Sequence, residues 1–223
     1  MKKRGIELKD IVIYGFGGFA GELAWLIEDI NQNRQEWNLL GFLDDNANNT
    51  GKEKNGYKVL GGGEWLVQHR NEVFCAAGVG NGASRKEIFE KTKDMVLGFP
   101  AIIHPAAKIS RHSGAGSGSI ICAGCIITVN VKIRDFVIVN LGCTIGHDAI
   151  LDDYTTVAPG VHISGNAVIG KYSDIGTGAV VIQNVKIGDG CVIGAAAAVV
   201  RDIPDNCTAV GVPARVIKSQ ETQ

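Results

Sequence analysis

Aliphatic residues recur every six positions through the C-terminal half of the chain. Stepping by six from Ile103 to Val199, sixteen of seventeen positions carry Ile, Leu or Val. A 3.6-residue period would scatter these positions around a helix, and simple alternation would not single out every third member. The pattern therefore predicts a coil of three short, flat strands per turn, with the aliphatic side chains pointing inward.

The residues around each aliphatic complete the repeat. Two positions earlier lies a small or slim residue, such as Cys125 or Ala149, and Gly often follows the aliphatic, as at Gly146. A small side chain fits inside near a corner, and Gly eases the turn. Three hexapeptides make one coil, so residues 103–199 predict about five coils of a parallel β-helix, roughly 25 Å tall at about 4.8 Å per coil. No insertion interrupts the period, which leaves only the outer wall for special chemistry.

A different pattern precedes residue 100. A glycine turn, GFGGFAG, follows the first of three predicted strands, and Asp44 and Asp45 follow the second. The predicted strands and helices are strand 11–14, helix 20–31, strand 39–43, strand 73–79 and helix 83–93. Their alternation predicts a small parallel sheet flanked by helices, with ligands bound at the carboxyl ends of its strands. We expect an α/β Rossmann-like domain over 1–100, followed by an all-β parallel β-helix domain with a C-terminal tail over 101–223.

Composition narrows the class of protein. The formal net charge is -1, which gives no electrostatic reason to expect nucleic acid or an anionic membrane as partner. The start MKKRGIELKD has no apolar run behind its basic residues, and six cysteines in a chain of 223 residues without an export signal favour reduced thiols. We expect a cytoplasmic protein.

The glycine turn leaves two readings open. Asp44 lies 23 residues beyond Gly21, close to the spacing at which a dinucleotide fingerprint places its ribose-binding acid, so NAD is one candidate ligand. In the other reading, the glycines only allow tight packing of the strand against the helix.

Taken together, the two halves resemble one family over nearly the whole chain. The motifs that carry the resemblance are IYGFGG, FLDD, VGNGASRK, IIHPAAKIS, GHDAILDDYTTVAPG and VGVPAR. They resemble bacterial hexapeptide-repeat sugar acetyltransferases that modify nucleotide-linked amino sugars or sialic acids. The resemblance implies a left-handed β-helix, a homotrimer with acetyl-CoA between neighbouring prisms, and an N-terminal domain that holds a UDP- or CMP-linked sugar and needs no NAD.

The resemblance also implies roles for individual residues. His147 lies two places past the inward Ile145, on the wall, and is expected to be the catalytic base, with Asp148 raising its basicity. Because neighbours in a strand point to opposite faces, this pairing requires a local turn. Gly165, one coil further on, is expected to offer its N–H to the thioester oxygen. The remaining expected site residues are Asn140 near the base, Thr156, Thr177 and Ala195 for acetyl-CoA, and Gly17, Gly18, Asp44, Asp45 and Gly80 for the nucleotide sugar.

The chain departs from the family pattern at two positions. Phe19 and Thr156 each stand where the family often has His, which puts the acceptor contact at the first position and the donor contact at the second in question.

The histidines and the CxxC also suggest functions other than acetyl transfer. Zinc carbonic anhydrases share the prism, but His147 and His162 are fifteen residues apart, not a multiple of eighteen, and so belong to different faces; we expect no metal. Cys122 and Cys125 form a CxxC, which the repeat explains as core filling. A trimeric scaffold or sensor that binds sugar nucleotides without catalysis remains the alternative function.

Overall fold

The computed structural model describes residues 8–219 and contains two compact units. The first unit comprises residues 1–79 and 87–105, and the second comprises 80–86 and 106–223. The segment 80–86 therefore belongs with the second unit although it precedes residue 100. Residues 1–7 of the basic start lie outside the described part of the chain. Between residues 8 and 219, no helix is long and apolar enough to cross a membrane.

The first unit is built on a sheet of five strands. Its elements in chain order are β1 (Lys9–Tyr14), α1 (Gly18–Asn33), β2 (Trp37–Leu43), a 3-10 turn (Ala47–Asn49), β3 (Glu53–Lys54), β4 (Tyr57–Gly61), α2 (Gly63–Gln68), β5 (Phe74–Ala77), α3 (Gly82–Thr92) and β6 (Ile102–Ile103). Residues 82–86 of α3 belong to the second unit. The sheet order is β3-β4-β2-β1-β5, and all its pairs are parallel except the β3–β4 hairpin. Apolar runs predicted β1, β2 and β5 because these strands are buried on both faces. The hairpin and α2 were not predicted.

The second unit is a parallel β-helix of very short strands. They are β7 (Lys108–Ile109), β8 (Gly114–Ala115), β9 (Ile120–Ile121), β10 (Ile126–Ile127), β11 (Lys132–Ile133), β12 (Ile138–Val139), β13 (Thr144–Ile145), β14 (Ile150–Leu151), β15 (Thr156–Val157), β16 (His162–Ile163), β17 (Val168–Ile169), β18 (Asp174–Ile175), β19 (Val180–Val181), β20 (Lys186–Ile187), β21 (Val192–Ile193), β22 (Ala198–Val199), β23 (Cys207–Val210) and β24 (Arg215–Ser219). Together with the first unit, this confirms the predicted fold class, a Rossmann-like α/β unit and a left-handed parallel β-helix.

The strands form three faces of a prism. The first face stacks β7, β10, β13, β16, β19 and β22; the second stacks β8, β11, β14, β17 and β20; the third stacks β9, β12, β15, β18 and β21, followed by β23 and β24. From β7 to β22, each residue pairs with the residue eighteen positions further on, as Thr144 pairs with His162. The spacing shortens to sixteen between β21 and β23, and β24 is antiparallel to β23. Three edges therefore separate the faces, which we call the first–second, second–third and third–first edges.

The six-residue period sets the core. From Ile121 to Val199 every predicted inward aliphatic is buried, and Cys125, Cys143 and Cys191 fill inward positions beside them. The six cysteines are free thiols and all are buried. The prediction was wrong at the start of the series, where Ile103 is exposed while its neighbour Ile102 is buried. Within the second unit Ile109 is only partly buried, because a coil at the end of a stack is covered on one side.

Truncating an inward side chain should destabilise the prism far more than truncating its outward neighbour. Leu151 is fully buried, whereas Ile150 in the same strand faces outward and is partly exposed. We expect Leu151→Ala to lower the free energy of unfolding by about 2–5 kcal/mol. The matched control Ile150→Ala should cost less than about 1.5 kcal/mol. Urea unfolding followed by circular dichroism measures both, and equal losses would contradict the inward assignment.

Candidate active site

His147 and Asp148 form a hydrogen-bonded pair on the first–second edge. They lie in the turn between β13 and β14, where Nδ1 of His147 is 2.8 Å from Oδ2 of Asp148. The turn that the sequence requires is present, because Asp148 has a φ of 60°. A left-handed residue breaks the strand alternation and turns the carboxylate toward the imidazole. Both side chains remain about half exposed, so the pair is open to a ligand.

The carboxylate of Asp148 fixes the state of the imidazole. The hydrogen bond with His147, and after it the bond from Asn130, lower the pKa of Asp148 below its ordinary value. An ionised carboxylate only accepts hydrogen bonds, so Nδ1 of His147 must carry the proton that it donates. The other ring nitrogen, Nε2, is then the unprotonated atom of the neutral imidazole and can accept a proton. The arrangement can serve proton transfer, because the carboxylate orients the imidazole and leaves Nε2 able to accept a proton.

Asn130 was not predicted as part of this pair. Its Nδ2 donates to Oδ1 of Asp148 at 3.1 Å from one coil below. The spacing between the two residues is eighteen, the coil length, so the repeat already contained the signal that would have found it.

Gly165 makes room for the imidazole. A Cβ at this position would lie 2.5 Å from Nε2 and 2.6 Å from Cε1 of His147, so no larger residue fits while the ring stays in place. Within residues 8–219, the N–H of Gly165 makes no hydrogen bond. An unpaired backbone N–H in the residue that contacts the imidazole can stabilise negative charge that develops on a reacting carbonyl oxygen.

Three further predicted residues lie on another edge of the prism. Asn140, Thr177 and Ala195 each follow a strand of the third face, on the third–first edge, whereas His147 follows a strand of the first face. Oδ1 of Asn140 accepts from the N–H of Leu141 at 2.7 Å. The carbonyl of Thr177 accepts from the N–H of Ala196 at 2.8 Å. Within one chain the structure does not bring this group together with His147.

Thr156 is engaged by the segment 80–86. Its hydroxyl donates to the carbonyl of Gly80 at 2.6 Å and accepts from Nη1 of Arg85 at 3.0 Å. It lies on the third face, in β15. Its predicted contact with acetyl-CoA therefore competes with two hydrogen bonds inside the protein.

The predicted nucleotide-sugar residues of the first unit lie at the carboxyl ends of β1 and β2. Gly17 is the N-cap of α1 and has no side chain to cap the helix, and a Cβ built at Gly17 or Gly18 would touch nothing within 4 Å. Nζ of Lys54 donates to the carbonyls of Phe16 and Gly17 at 2.6 and 2.8 Å. Open glycines, free helix N–H groups and a nearby ammonium group favour an anionic ligand.

The two aspartates after β2 have different partners. Oδ1 of Asp44 accepts from the N–H of Asn46 at 2.9 Å and from Nδ2 of Asn49 at 3.2 Å. Oδ1 of Asp45 accepts from the Tyr14 hydroxyl at 2.6 Å and from Nζ of Lys91 at 2.5 Å. Burial raises the pKa of Asp45, but the bonds from Lys91 and Tyr14 outweigh it and the net pKa is lowered. Burial, and then the Asp45 carboxylate, raise the pKa of Tyr14 to about 12.

The remaining histidines do not form a metal centre. Nδ1 of His162 lies 2.8 Å from the Thr144 hydroxyl, and Nε2 of His104 lies 2.9 Å from Oδ2 of Asp29. In the described residues, no three His, Cys, Asp or Glu side chains are grouped so that they could hold a metal ion.

Substituting Gly165 should disturb the imidazole and, through it, Asp148. The methyl group of Gly165→Ala would displace the His147 ring and break its bond to Asp148, so the pKa of Asp148 should rise toward its ordinary value. Titration of the Asp148 carboxyl carbon by NMR measures this. Gly114→Ala is the control, because a Cβ there would touch nothing within 4 Å. An unchanged Asp148 titration in Gly165→Ala would contradict the packing described.

Known proteins are similar to this chain both in sequence and in fold. Residues 10–92 match the family model of the PglD N-terminal domain. The acetyltransferase domain of PglB from Neisseria gonorrhoeae is 33% identical, with a TM-score of 0.87 over 94% of this chain and 100% of that chain. That domain has also been solved in complex with acetyl coenzyme A.

Two further relatives are similar over nearly their whole length. PerB from Caulobacter crescentus, solved with CoA and GDP-perosamine, is 28% identical, with a TM-score of 0.85 over 95% of this chain and 99% of that chain. WeeI from Acinetobacter baumannii is 28% identical, with a TM-score of 0.81 over 94% of this chain and 100% of that chain. A search of curated protein sequences gave no significant match.

Proposed function

Since the chain belongs to the family of acetyl-CoA-dependent sugar N-acetyltransferases, we propose that it acetylates the amine of a nucleotide-linked amino sugar, with His147 as general base. The observation that carries the proposal is the Asp148–His147 pair, whose imidazole packs against Gly165 on the Nε2 side. The sequence alone left amine and hydroxyl acceptors equal. The relative named as perosamine N-acetyltransferase favours the amine.

The proposed reaction uses Nε2 of His147 and the backbone N–H of Gly165. The lone pair of the sugar amine attacks the thioester carbonyl of acetyl-CoA, and Nε2 of His147 accepts the proton that the amine loses. The N–H of Gly165 donates to the oxyanion of the tetrahedral intermediate. The intermediate collapses by breaking the carbon–sulfur bond, and the imidazolium returns the proton to the departing CoA sulfur. The products are the acetamido sugar and free CoA.

Asp148 supports both halves of this proton transfer. Its carboxylate holds the Nδ1 proton, so that Nε2 is the basic atom before the attack. After the attack, the same negative charge lies 2.8 Å from the imidazolium and stabilises it. The pKa of Asp148 is lowered by these contacts, so the carboxylate stays ionised at neutral pH.

We place the nucleotide portion of the acceptor at the glycine turn of the first unit. Gly17 and Gly18 leave open space for phosphate oxygens at the start of α1, where Lys54 adds a positive charge. Asp44, Asp45 and Gly80 are proposed to contact the same acceptor, as the family resemblance implies. A nucleotide sugar is favoured over a dinucleotide as the ligand of this turn, because a relative similar over nearly the whole chain was solved with CoA and GDP-perosamine.

We also propose that the site is completed by a second copy of the chain, in a homotrimer. His147 and Gly165 lie on the first–second edge, whereas Asn140, Thr177 and Ala195 lie on the third–first edge. Aliphatic side chains are exposed on the first face and beside His147, at Ile126, Val129, Val180, Ile182 and Val200. An apolar surface of this kind favours burial against a neighbouring prism. Acetyl-CoA would then bind in the seam.

Loss of the base should abolish turnover without affecting the fold. We expect His147→Ala to lower kcat by about 10²–10⁴-fold, because proton removal from the amine is no longer assisted. The control His112→Ala removes an exposed histidine on the same edge, two coils from Asp148, and should leave kcat unchanged. CoA release from acetyl-CoA, measured with a panel of UDP-, GDP- and CMP-linked amino sugars, follows the reaction. Full activity of His147→Ala would overturn the proposed mechanism.

Mixed oligomers test whether the site is shared. Chains carrying His147→Ala and chains carrying Asn140→Ala, refolded together in equal amounts, should recover up to about a quarter of wild-type activity, since one seam in four joins two intact edges. A mixture of His147→Ala with Gly165→Ala is the control. Both residues lie on one edge, so no seam in that mixture is intact and activity should stay low. Absence of recovery in assembled Asn140→Ala mixtures would contradict a shared site.

A further inference from the structure

Arg85 is a buried charge that holds the segment 80–86 against the prism. Its side chain is fully buried, and the guanidinium makes hydrogen bonds with all three of its nitrogens. Nε donates to the carbonyl of Phe136 at 2.9 Å, and Nη2 donates to the carbonyls of Tyr154 and Thr155 at 2.7 and 3.1 Å. Nη1 donates to the carbonyl of Gly80 at 2.6 Å and to the Thr156 hydroxyl at 3.0 Å. These five bonds equal the number of N–H groups that arginine has.

The rest of the segment is fitted to the same coils. A Cβ at Gly82 would overlap the carbonyl oxygen of Tyr154, so only glycine allows this approach. The Tyr154 ring stacks between those of Phe136 and Tyr172 at 5.2 Å, and Nζ of Lys86 lies 5.8 Å from the centre of the Tyr172 ring. The segment is therefore positioned by backbone, charge and aromatic contacts to successive coils.

Thr156 joins this network to Gly80. The Gly80 carbonyl accepts from both Arg85 and Thr156, so two donors fix the orientation of one peptide group. On the outer side of that group, a Cβ at Gly80 would touch nothing within 4 Å, which leaves the loop open to a ligand. Fixed donors on one side and open space on the other are what a preorganised binding loop requires.

We propose that Arg85 and Thr156 are positioning residues that hold the Gly80 loop in the conformation that binds the nucleotide sugar. Thr156 then serves the acceptor side of the reaction, not the acetyl donor. This inference rests on the proposed function for the role of Gly80 in acceptor binding. The hold on the loop itself rests only on the contacts described above.

The charge of Arg85 is maintained in this environment. Burial lowers the pKa of Arg85 to about 10, opposed by the charge of Asp174, so the guanidinium remains protonated at neutral pH. Asp174 lies one coil beyond Thr156 on the third face. A protonated guanidinium donates in every direction of its plane, and no neutral side chain of the same size satisfies as many carbonyls.

The test measures separately whether Arg85 and Thr156 fix the Gly80 loop and whether the fixed loop binds the nucleotide sugar. Thr156→Val removes the hydroxyl with little change in shape, and Thr156→Ser restores it. Thr208→Val is a matched control, because β23 lies three strands from β15 in the same face. The rate of amide hydrogen exchange over residues 80–84 in the ligand-free protein reports how firmly Arg85 and Thr156 fix the Gly80 loop. Calorimetry with CoA and with the UDP-, GDP- and CMP-linked sugars reports the two ligands separately.

In Thr156→Val we expect about fivefold faster exchange over residues 80–84 and about fivefold weaker nucleotide-sugar binding, the effect of one lost hydrogen bond. CoA affinity should change less than twofold, and Thr156→Ser should behave as wild type. Arg85→Lys, which cannot make the planar set of bonds, should give a larger effect in the same direction.

Three results would count against the inference, each in a different way. Weaker CoA binding with unchanged exchange would show that Thr156 contacts the donor, and would overturn the inference. Faster exchange with unchanged nucleotide-sugar affinity would show that Thr156 fixes the loop but that the Gly80 loop does not bind the acceptor. Normal exchange and normal binding of both ligands in Thr156→Val and Arg85→Lys would show that these two residues do not fix the loop. A wild-type protein that transfers no acetyl group would instead contradict the proposed function, and exchange in the ligand-free protein is independent of that outcome.

Discussion

The in-register stacking of eighteen-residue coils is the constraint on which the second unit depends. Each coil donates backbone N–H groups to the carbonyls of the next, as from Thr144 to Val161, with neighbouring residues in columns. Inward positions in the middle of the stack have almost no exposure, so they accept only side chains that fill the interior. Chemistry is confined to outward faces and edges. A residue also contacts the residues eighteen positions before and after it, which lie directly below and above it in the stack. Gly165 therefore packs against His147, and Asn130 donates a hydrogen bond to Asp148.

The left-handed turn residue reconciles a regular fold with a paired site. Asp148 occupies a column in which Asn130, Asn166 and Asn184 also have φ near 60°. Asparagine and aspartate tolerate this conformation better than other residues with side chains. Three coils have an asparagine side chain at this position, whereas the coil with His147 has the carboxylate of Asp148. The backbone conformation is the same in all four. The fold therefore supplies the geometry of the pair, and a single substitution in the column supplies its charge.

The repeat made the prism predictable because burial repeats at a fixed interval. It could not show that Ile103 is exposed, since the end of a series carries no mark in the sequence. The β3–β4 hairpin had a local signal that was missed, because Asn55 and Gly56 form a two-residue turn with positive φ at both positions. His147 and Asp148 were identifiable as a pair from a motif and the requirement for a turn. The ion pair of Asp45 with Lys91 depends on residues 46 positions apart and has no such signal.

Arg85 shows why sequence reasoning stopped short of the segment 80–86. Arginine is rarely fully buried, so an arginine in a helical stretch is expected to be exposed unless the carbonyls it would satisfy are known. Here those carbonyls come from two different turns of the prism and from Gly80 itself. A shift of the loop would leave several of them unpaired beside a buried charge, which costs far more than the bonds gain individually. The segment is therefore held in one position on the third face, while His147 lies on the first–second edge, which does not border that face. The proposed reaction, in which both take part, is therefore the reason for proposing a site shared between chains.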